Sequence, residues 1–288
     1  TATHELVVPK SIPIIFPIII FLILIISEFC PDLLNSYAKR DLLTGWQFIG
    51  MFIFATMSYL ADNPIVQRIL YEDNHLLVVS KLSGEIVQGD KTGDIPLSEI
   101  LKNFIKERDH KPGNVFMGVP HRLDRPVSGI CIFAKTSKSL ERLNRMFRDG
   151  EVQKTYLALV SKKPPADSAL LTHYIIRNEK QNKSYARETP AEGAREARLR
   201  YRYLESTHKY HLLEIDLLTG RHHQIRCQLA AIGCPIKGDL KYGARRSNPD
   251  GSISLHAYRV TLDHPVRKEQ LVITAPWDPF GTRLKENQ

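Results

Sequence analysis

Three short segments place polar residues where an apolar pattern would otherwise run. The first is His121-Arg122-Leu123-Asp124-Arg125-Pro126-Val127-Ser128-Gly129. An aspartate between two arginines, ahead of a proline turn, is expected to stay ionised because nearby cations and donors favour the charged carboxylate. Such a group works as a nucleophile or a base rather than as an acid. A plainer reading pairs Asp124 with Arg122 or Arg125 in a structural turn, and this segment alone does not choose between them. The second segment is Thr219-Gly220-Arg221-His222-His223-Gln224-Ile225-Arg226, followed by Gly238-Asp239 and Tyr242-Gly243. Gly220 supplies a turn after a strand and sets Arg221 at a helix start, where guanidinium and backbone N–H groups can hold a carboxylate or a phosphate. A solvated basic helix start is the alternative for any one of these residues. The third is Lys154-Thr155-Tyr156, whose tyrosine belongs in a strand, either as core or as a ring on which a base can stack.

The elements that must position these residues follow from the apolar spacing. Ile69–Asp73 and Leu76–Ser80 read as a short strand, an Asp-Asn turn and a buried strand closing at Gly84. Leu97–Arg108 has apolar residues at 97, 100, 101, 104 and 105, one face of a helix. A buried strand at Ile130–Ala134 precedes a helix over Ser137–Phe147, with Ser137 and Glu141 suited to a capped start. Lys154–Val160 is a strand. Residues 177–198, polar and containing Pro190 and Gly193, are expected to be a mobile surface excursion. Ala197–Leu204 and His211–Leu217 form a hairpin, Gln224–Ile232 a short helix, and Leu255–Leu262 and Gln270–Thr274 closing strands. The sum is an α+β fold with a largely antiparallel sheet and no internal repeat.

Composition narrows the partners. The 288 residues, 43% hydrophobic and 25% charged, suffice for a folded core and exclude collagen-like, low-complexity and wholly disordered chains. Residues 1–56 hold three bases (Lys10, Lys39, Arg40) against four acids (Glu5, Glu28, Asp32, Asp41). Residues 57–288 therefore carry 37 bases against 27 acids, a balance suited to a polyanion such as nucleic acid. Cys30, Cys131, Cys227 and Cys234 lack Cys-x-x-Cys spacing, so neither a disulfide framework nor a zinc site is expected. Ile12–Ile26 is an unbroken apolar run containing Pro13 and Pro17, short for a membrane span and without a small-x-small cleavage pattern after it. A second patch, Phe48–Ala55, is shorter still. Since the chain begins at Thr1 and Met57 shortly precedes the first strand, the expected folded domain is 57–288, with a start at Met57 or Met51. Residues 1–56 are then an apolar segment outside it: artefactual or upstream sequence, a membrane anchor, or a signal. A membrane is a partner only in the anchor case.

HRLDRPVSG, KTYLALV, TGRHHQIRCQLAAIGCPIKGDLKYG and SLHAYRVTLDHP, after YEDNHLLVVSKLSG, resemble the successive motifs of the RluA family of RNA pseudouridine synthases, from about Ile69 to Pro276 and in that family's order. The resemblance implies the pseudouridine synthase catalytic fold, a mixed, mostly antiparallel sheet with a central basic cleft. It implies an isomerase that flips a uridine of ribosomal or transfer RNA into the cleft and rejoins the base through C5, without cofactor or metal. By position, Asp124 matches the essential aspartate, Tyr156 the tyrosine that packs on the target base, and Arg221 the arginine paired with the aspartate. His121, Arg122, Arg125, His223, Gln224 and Arg226 are the candidate RNA contacts around them. The chain departs from the pattern at Leu82, Val127, His222 and Gln228, and no S4-type module is recognisable before Ile69. A cytoplasmic monomer acting on rRNA sooner than tRNA is expected. The rivals are a catalytically silent RNA-binding or ribosome-assembly factor of this fold, and a glycosidase or nucleosidase, for which Asp239 would be the second carboxylate.

Overall fold

The computed structural model describes residues 63–90, 92–207 and 209–278. The expectations for Ile12–Ile26, Phe48–Ala55, Cys30, Met51 and Met57 lie outside them. From Arg68 onward the described chain forms one unit built on a ten-stranded sheet. Its elements are β1 (Ile69–Glu72), β2 (Leu76–Lys81), α1 (Leu97–Arg108), β3 (Ser128–Ala134), α2 (Ser137–Asp149), β4 (Gln153–Val160) and β5 (Ser168–Asn178). They continue with β6 (Lys183–Arg187), β7 (Arg195–Ser206), β8 (His211–Leu217), α3 (Gln224–Ala231), β9 (Leu255–Asp263) and β10 (Gln270–Thr274). The strand order is β1-β2-β3-β9-β4-β8-β7-β5-β6, with β10 also on β9. Every pairing is antiparallel except β3 with β9. The α+β expectation holds.

Apolar patterning accounts for most of these elements. Leu76–Val79 is apolar at every position and buried on both faces between β1 and β3. Helix α1 buries Leu97, Leu101, Phe104 and Ile105, the stripe its sequence displays. In α2 the cap is Thr136 rather than Ser137: its Oγ1 accepts from the Ser139 N–H at 3.2 Å, and left-handed Gly150 ends the helix.

The expected excursion over 177–198 is instead the end of β5, all of β6 and the start of β7. Only one face of this region needs apolar or small residues: Ile175, Ser184 and Ala197 are buried while Tyr185, Arg187 and Glu196 face outward. The ladder pairs Ile175 with Ala186 and Ile176 with Tyr185. A polar strand near a sheet edge carries too weak an alternation to be read locally.

The two halves of the sheet meet at one place. The parallel β3–β9 contact consists of Ser128 opposite His256 and Gly129 opposite Ala257. Gly129 has φ +109°, and a Cβ there would sit 2.3 Å from the Ala257 carbonyl oxygen, so only glycine permits this approach.

Candidate active site

The loop that ends at Gly129 is held by its own backbone. The Val127 N–H returns to the Asp124 carbonyl at 3.0 Å, and the Arg125 and Pro126 carbonyls accept from the Gly84 and Ile253 N–H groups. Lys81 at the end of β2 is fully buried, and its ammonium donates to the carbonyls of Leu82, Arg125 and Val127 at 2.8, 3.1 and 2.7 Å. Burial pushes its pKa down to about 8, so it is still charged at neutral pH, with all three donors used. With Leu123 and Val127 also buried, the loop has little freedom, and Asp124 leaves it toward open space with its side chain 31% exposed.

What meets Asp124 comes from the first turn of α3. Arg226 Nη1 donates to Asp124 Oδ2 at 3.1 Å, while its Nε and Nη2 hold both oxygens of Asp239 at 2.7 and 2.9 Å. Asp239 is 1% exposed. Burial works against the Arg226 charge, but the two carboxylates outweigh it and raise its pKa. One guanidinium thus serves two carboxylates, leaving the cluster with one net negative charge. His223 Nε2 lies 3.4 Å from the same Asp124 oxygen. Burial, with Arg226 second, drives the His223 pKa down to about 2, so the imidazole is neutral. Its Nδ1 lies 2.9 Å from the Tyr242 hydroxyl, which itself accepts from the Ser184 N–H. The Tyr242 hydroxyl donates to Nδ1, which leaves the His223 proton on Nε2, directed at Asp124. These bonds hold His223 in a left-handed conformation, φ +52°, that costs an ordinary residue about 1 kcal/mol.

The residues expected to act at the site sort differently from the sequence reading. Arg221 is exposed and its Nε donates to the Glu196 carbonyl at 3.0 Å, so the arginine on Asp124 is Arg226, five residues on. Helix α3 starts at Gln224, which places Arg221 in the turn before it and Arg226 inside. Arg125 turns away to Asp94 at 2.6 Å, and Arg122 is exposed. His121 is not an RNA contact in this geometry: its Nε2 accepts from the Ile132 N–H at 2.9 Å, its ring stacks on Phe147, and burial lowers its pKa to about 4. Gln224 is likewise occupied, accepting from Thr219 Oγ1 and the Arg221 N–H and donating to the Arg198 carbonyl. Tyr156 is 9% exposed, and burial pushes its pKa up, with the Cys131 and Asp124 charges adding to the effect.

A sequence profile described as RNA pseudouridylate synthase matches residues 75–231, more than half of the chain. The chain belongs to this family. Ribosomal large subunit pseudouridine synthase C of Vibrio cholerae serotype O1 is 33% identical over 214 residues, covering 72% of this chain and 65% of that protein; the chain thus spans just under two thirds of that relative. Human RNA Pseudouridylate Synthase Domain Containing 1 superposes with a TM-score of 0.58 at 25% identity, over 74% of this chain and 84% of that one. Human RNA Pseudouridylate Synthase Domain Containing 4 shares the fold, with a TM-score of 0.63 at 22% identity over 79% and 94% of the two chains. The RluA-type resemblance of the motifs agrees with these matches.

Within this pseudouridylate synthase fold, the sequence reading missed Lys81, Asp239 and Tyr242 as supports. Gly238-Asp239 and Tyr242-Gly243 are visible as polar interruptions near the second segment, but only the fold shows Asp239 gripping Arg226. Gln228, a departure from the family pattern, is buried and donates to the Ala197 carbonyl at 3.1 Å, tying α3 to β7. His222 stacks on His223 at 3.8 Å and bonds to Ser184 Oγ at 2.8 Å and Asn182 Oδ1 at 3.1 Å.

Proposed function

We propose that this protein isomerises uridine to pseudouridine in RNA, ribosomal RNA in preference to transfer RNA, with Asp124 as the catalytic carboxylate. The observation that carries the reading is Asp124 itself, half-exposed on a rigid loop with one oxygen held by Arg226 and His223, and near enough to Tyr156 for its charge to act on that hydroxyl. The reaction breaks the bond from C1′ to N1, turns the detached uracil and forms a bond from C1′ to C5. The C5 proton is lost and N1 gains one, so no electrons enter or leave. An ionised carboxylate can attack C1′, add to C6 of the base or remove a sugar proton, and each route needs Asp124 charged and aimed. Arg226 and the neutral His223 aim it, while the Tyr156 ring closes one side of the space a detached base would occupy. Flipping the nucleotide costs a few kcal/mol, which contacts from bases to neighbouring phosphates can offset. The catalytic domain is 57–288, acting as a cytoplasmic monomer. Asp239 does not serve as a second, acidic carboxylate, because both its oxygens are taken by Arg226, which argues against a glycosidase pairing.

Pseudouridine mapping of ribosomal and transfer RNA, with and without the gene and with Asp124→Ala restored in its place, tests the reading. The expected result is a pseudouridine in rRNA that disappears without the gene and does not return with Asp124→Ala. A map unchanged by deletion would support a silent RNA-binding factor instead. The variant should lose on the order of 10³-fold or more in kcat/KM.

A further inference from the structure

The Lys154-Thr155-Tyr156 segment enters the site through more than its tyrosine. Lys154, the second residue of β4, lies opposite Val260, and its side chain lines the same small pocket as Tyr156, His121, Phe147 and Arg259. Its Nζ is 6.0 Å from the Phe147 ring centre and 3.9 Å from where a Cβ on Gly220 would lie, against the turn that leads to His223. The side chain is half-buried. Among the described residues it has no ion pair and no hydrogen bond, and burial alone acts on its pKa, lowering it.

Several other cations nearby are matched. Arg226 is matched by Asp239 and Asp124, Arg125 by Asp94, Lys81 by three carbonyls, and Lys241 by the Asn182 carbonyl. Asp216, across the β4–β8 ladder, is engaged by Thr155 Oγ1. A half-buried ammonium with three unused donors is costly to keep without an anion. Residues two apart on one strand face lie about 6–7 Å from each other, a span that one nucleotide bridges between its base and its backbone phosphate.

We propose that Lys154 holds a backbone phosphate of the RNA at the nucleotide seated against Tyr156. The proposal rests on the pseudouridine synthase reading and names a contact within that site. Its test uses the full-length protein, Lys154→Met and Lys154→Arg, on a ribosomal RNA transcript that the wild type modifies. Lys154→Met should raise KM about tenfold, hold kcat within about threefold and lower the slope of log binding constant against log salt by about 0.7–0.9, one phosphate's worth. Lys154→Arg should restore both. As competitors, 5′- and 3′-uridine monophosphate should outbind uridine on the wild type, with the advantage lost in Lys154→Met. An unchanged salt slope with reduced kcat would overturn the proposal in favour of a contact to the base, and an unchanged slope with unchanged KM would overturn it outright. Absence of pseudouridine from every transcript would sink the functional reading instead, while the salt slope on the same transcript still decides for or against Lys154.

Discussion

The two segments that meet at Asp124 are held by opposite means. Arg122–Gly129 is fixed through its backbone: carbonyls of consecutive residues are bound by Lys81, Gly84 and Ile253, and Gly129 is pressed against Ala257. Thr219–Arg226 is fixed through side chains: Gln224 ties the turn to the Arg198 carbonyl, and His223 and Arg226 each make two or more polar contacts to distant parts of the chain. The backbone-held loop therefore sets where the carboxylate is. The side-chain network sets the direction in which its oxygens are held. A loop held by main-chain groups depends little on the side chains it carries, whereas the network depends on the identity of each member.

The largest effect on folding should come from breaking the network at its centre. Arg226→Ala leaves Asp239 buried without a partner and should cost about 3–5 kcal/mol, read by denaturant unfolding, with activity lost as well. Arg226→Lys should rescue little, since a single ammonium cannot reproduce the fork that engages both carboxylates. On the backbone-held side, Gly129→Ala must either move Ala257 or open the β3–β9 contact, and should cost about 2–4 kcal/mol. If it proves neutral, the loop is not braced there.

Acid should weaken both segments together. His121, His223 and His256 have folded pKa values near 4, 2 and 4, below their value near 6.5 in an unfolded chain. The unfolded state then binds protons that the folded state refuses, so stability is full above about pH 6.5 and falls as pH drops through 6 and 5 toward 4. Thermal midpoints measured at unit pH steps should decline over that window, and a flat profile would contradict the burial of these rings. The smallest effect belongs to Arg221→Ala, within about 0.5 kcal/mol because its guanidinium is exposed. A loss of activity matching that of Arg226→Ala would restore Arg221 to the aspartate.

That last contrast shows where the sequence was legible. Strongly periodic elements, such as α1 over Leu97–Arg108 and the buried run Leu76–Val79, could be read because apolar spacing alone determines them. Asp124 and Tyr156 could be picked out as polar or aromatic residues in a strand-rich context. The choice between Arg221 and Arg226 could not, since both lie in one basic segment and the decision depends on Asp239, thirteen residues beyond Arg226 and buried only in the folded chain. Strands β5 and β6 were missed for a related reason: their pairing is specified by β7 and α3, not by their own composition.

The single parallel contact between β3 and β9 has a consequence for how this protein assembles. Residues 69–149 build β1–β3 and the two helices between and after them, and residues 153–274 build every other strand, so each half of the sheet is continuous in the chain. Two residue pairs of the ladder and the Ile253 N–H bond to the Pro126 carbonyl join their backbones, with Asp73–His264 and the Arg142 bond to the Pro265 carbonyl among the side-chain rivets. The carboxylate belongs to one half and the guanidinium to the other, 102 residues apart. The second half already pairs strands far apart in the chain, β4 with β9, and the aspartate meets its arginine only where the two halves dock, so neither half by itself holds a complete site.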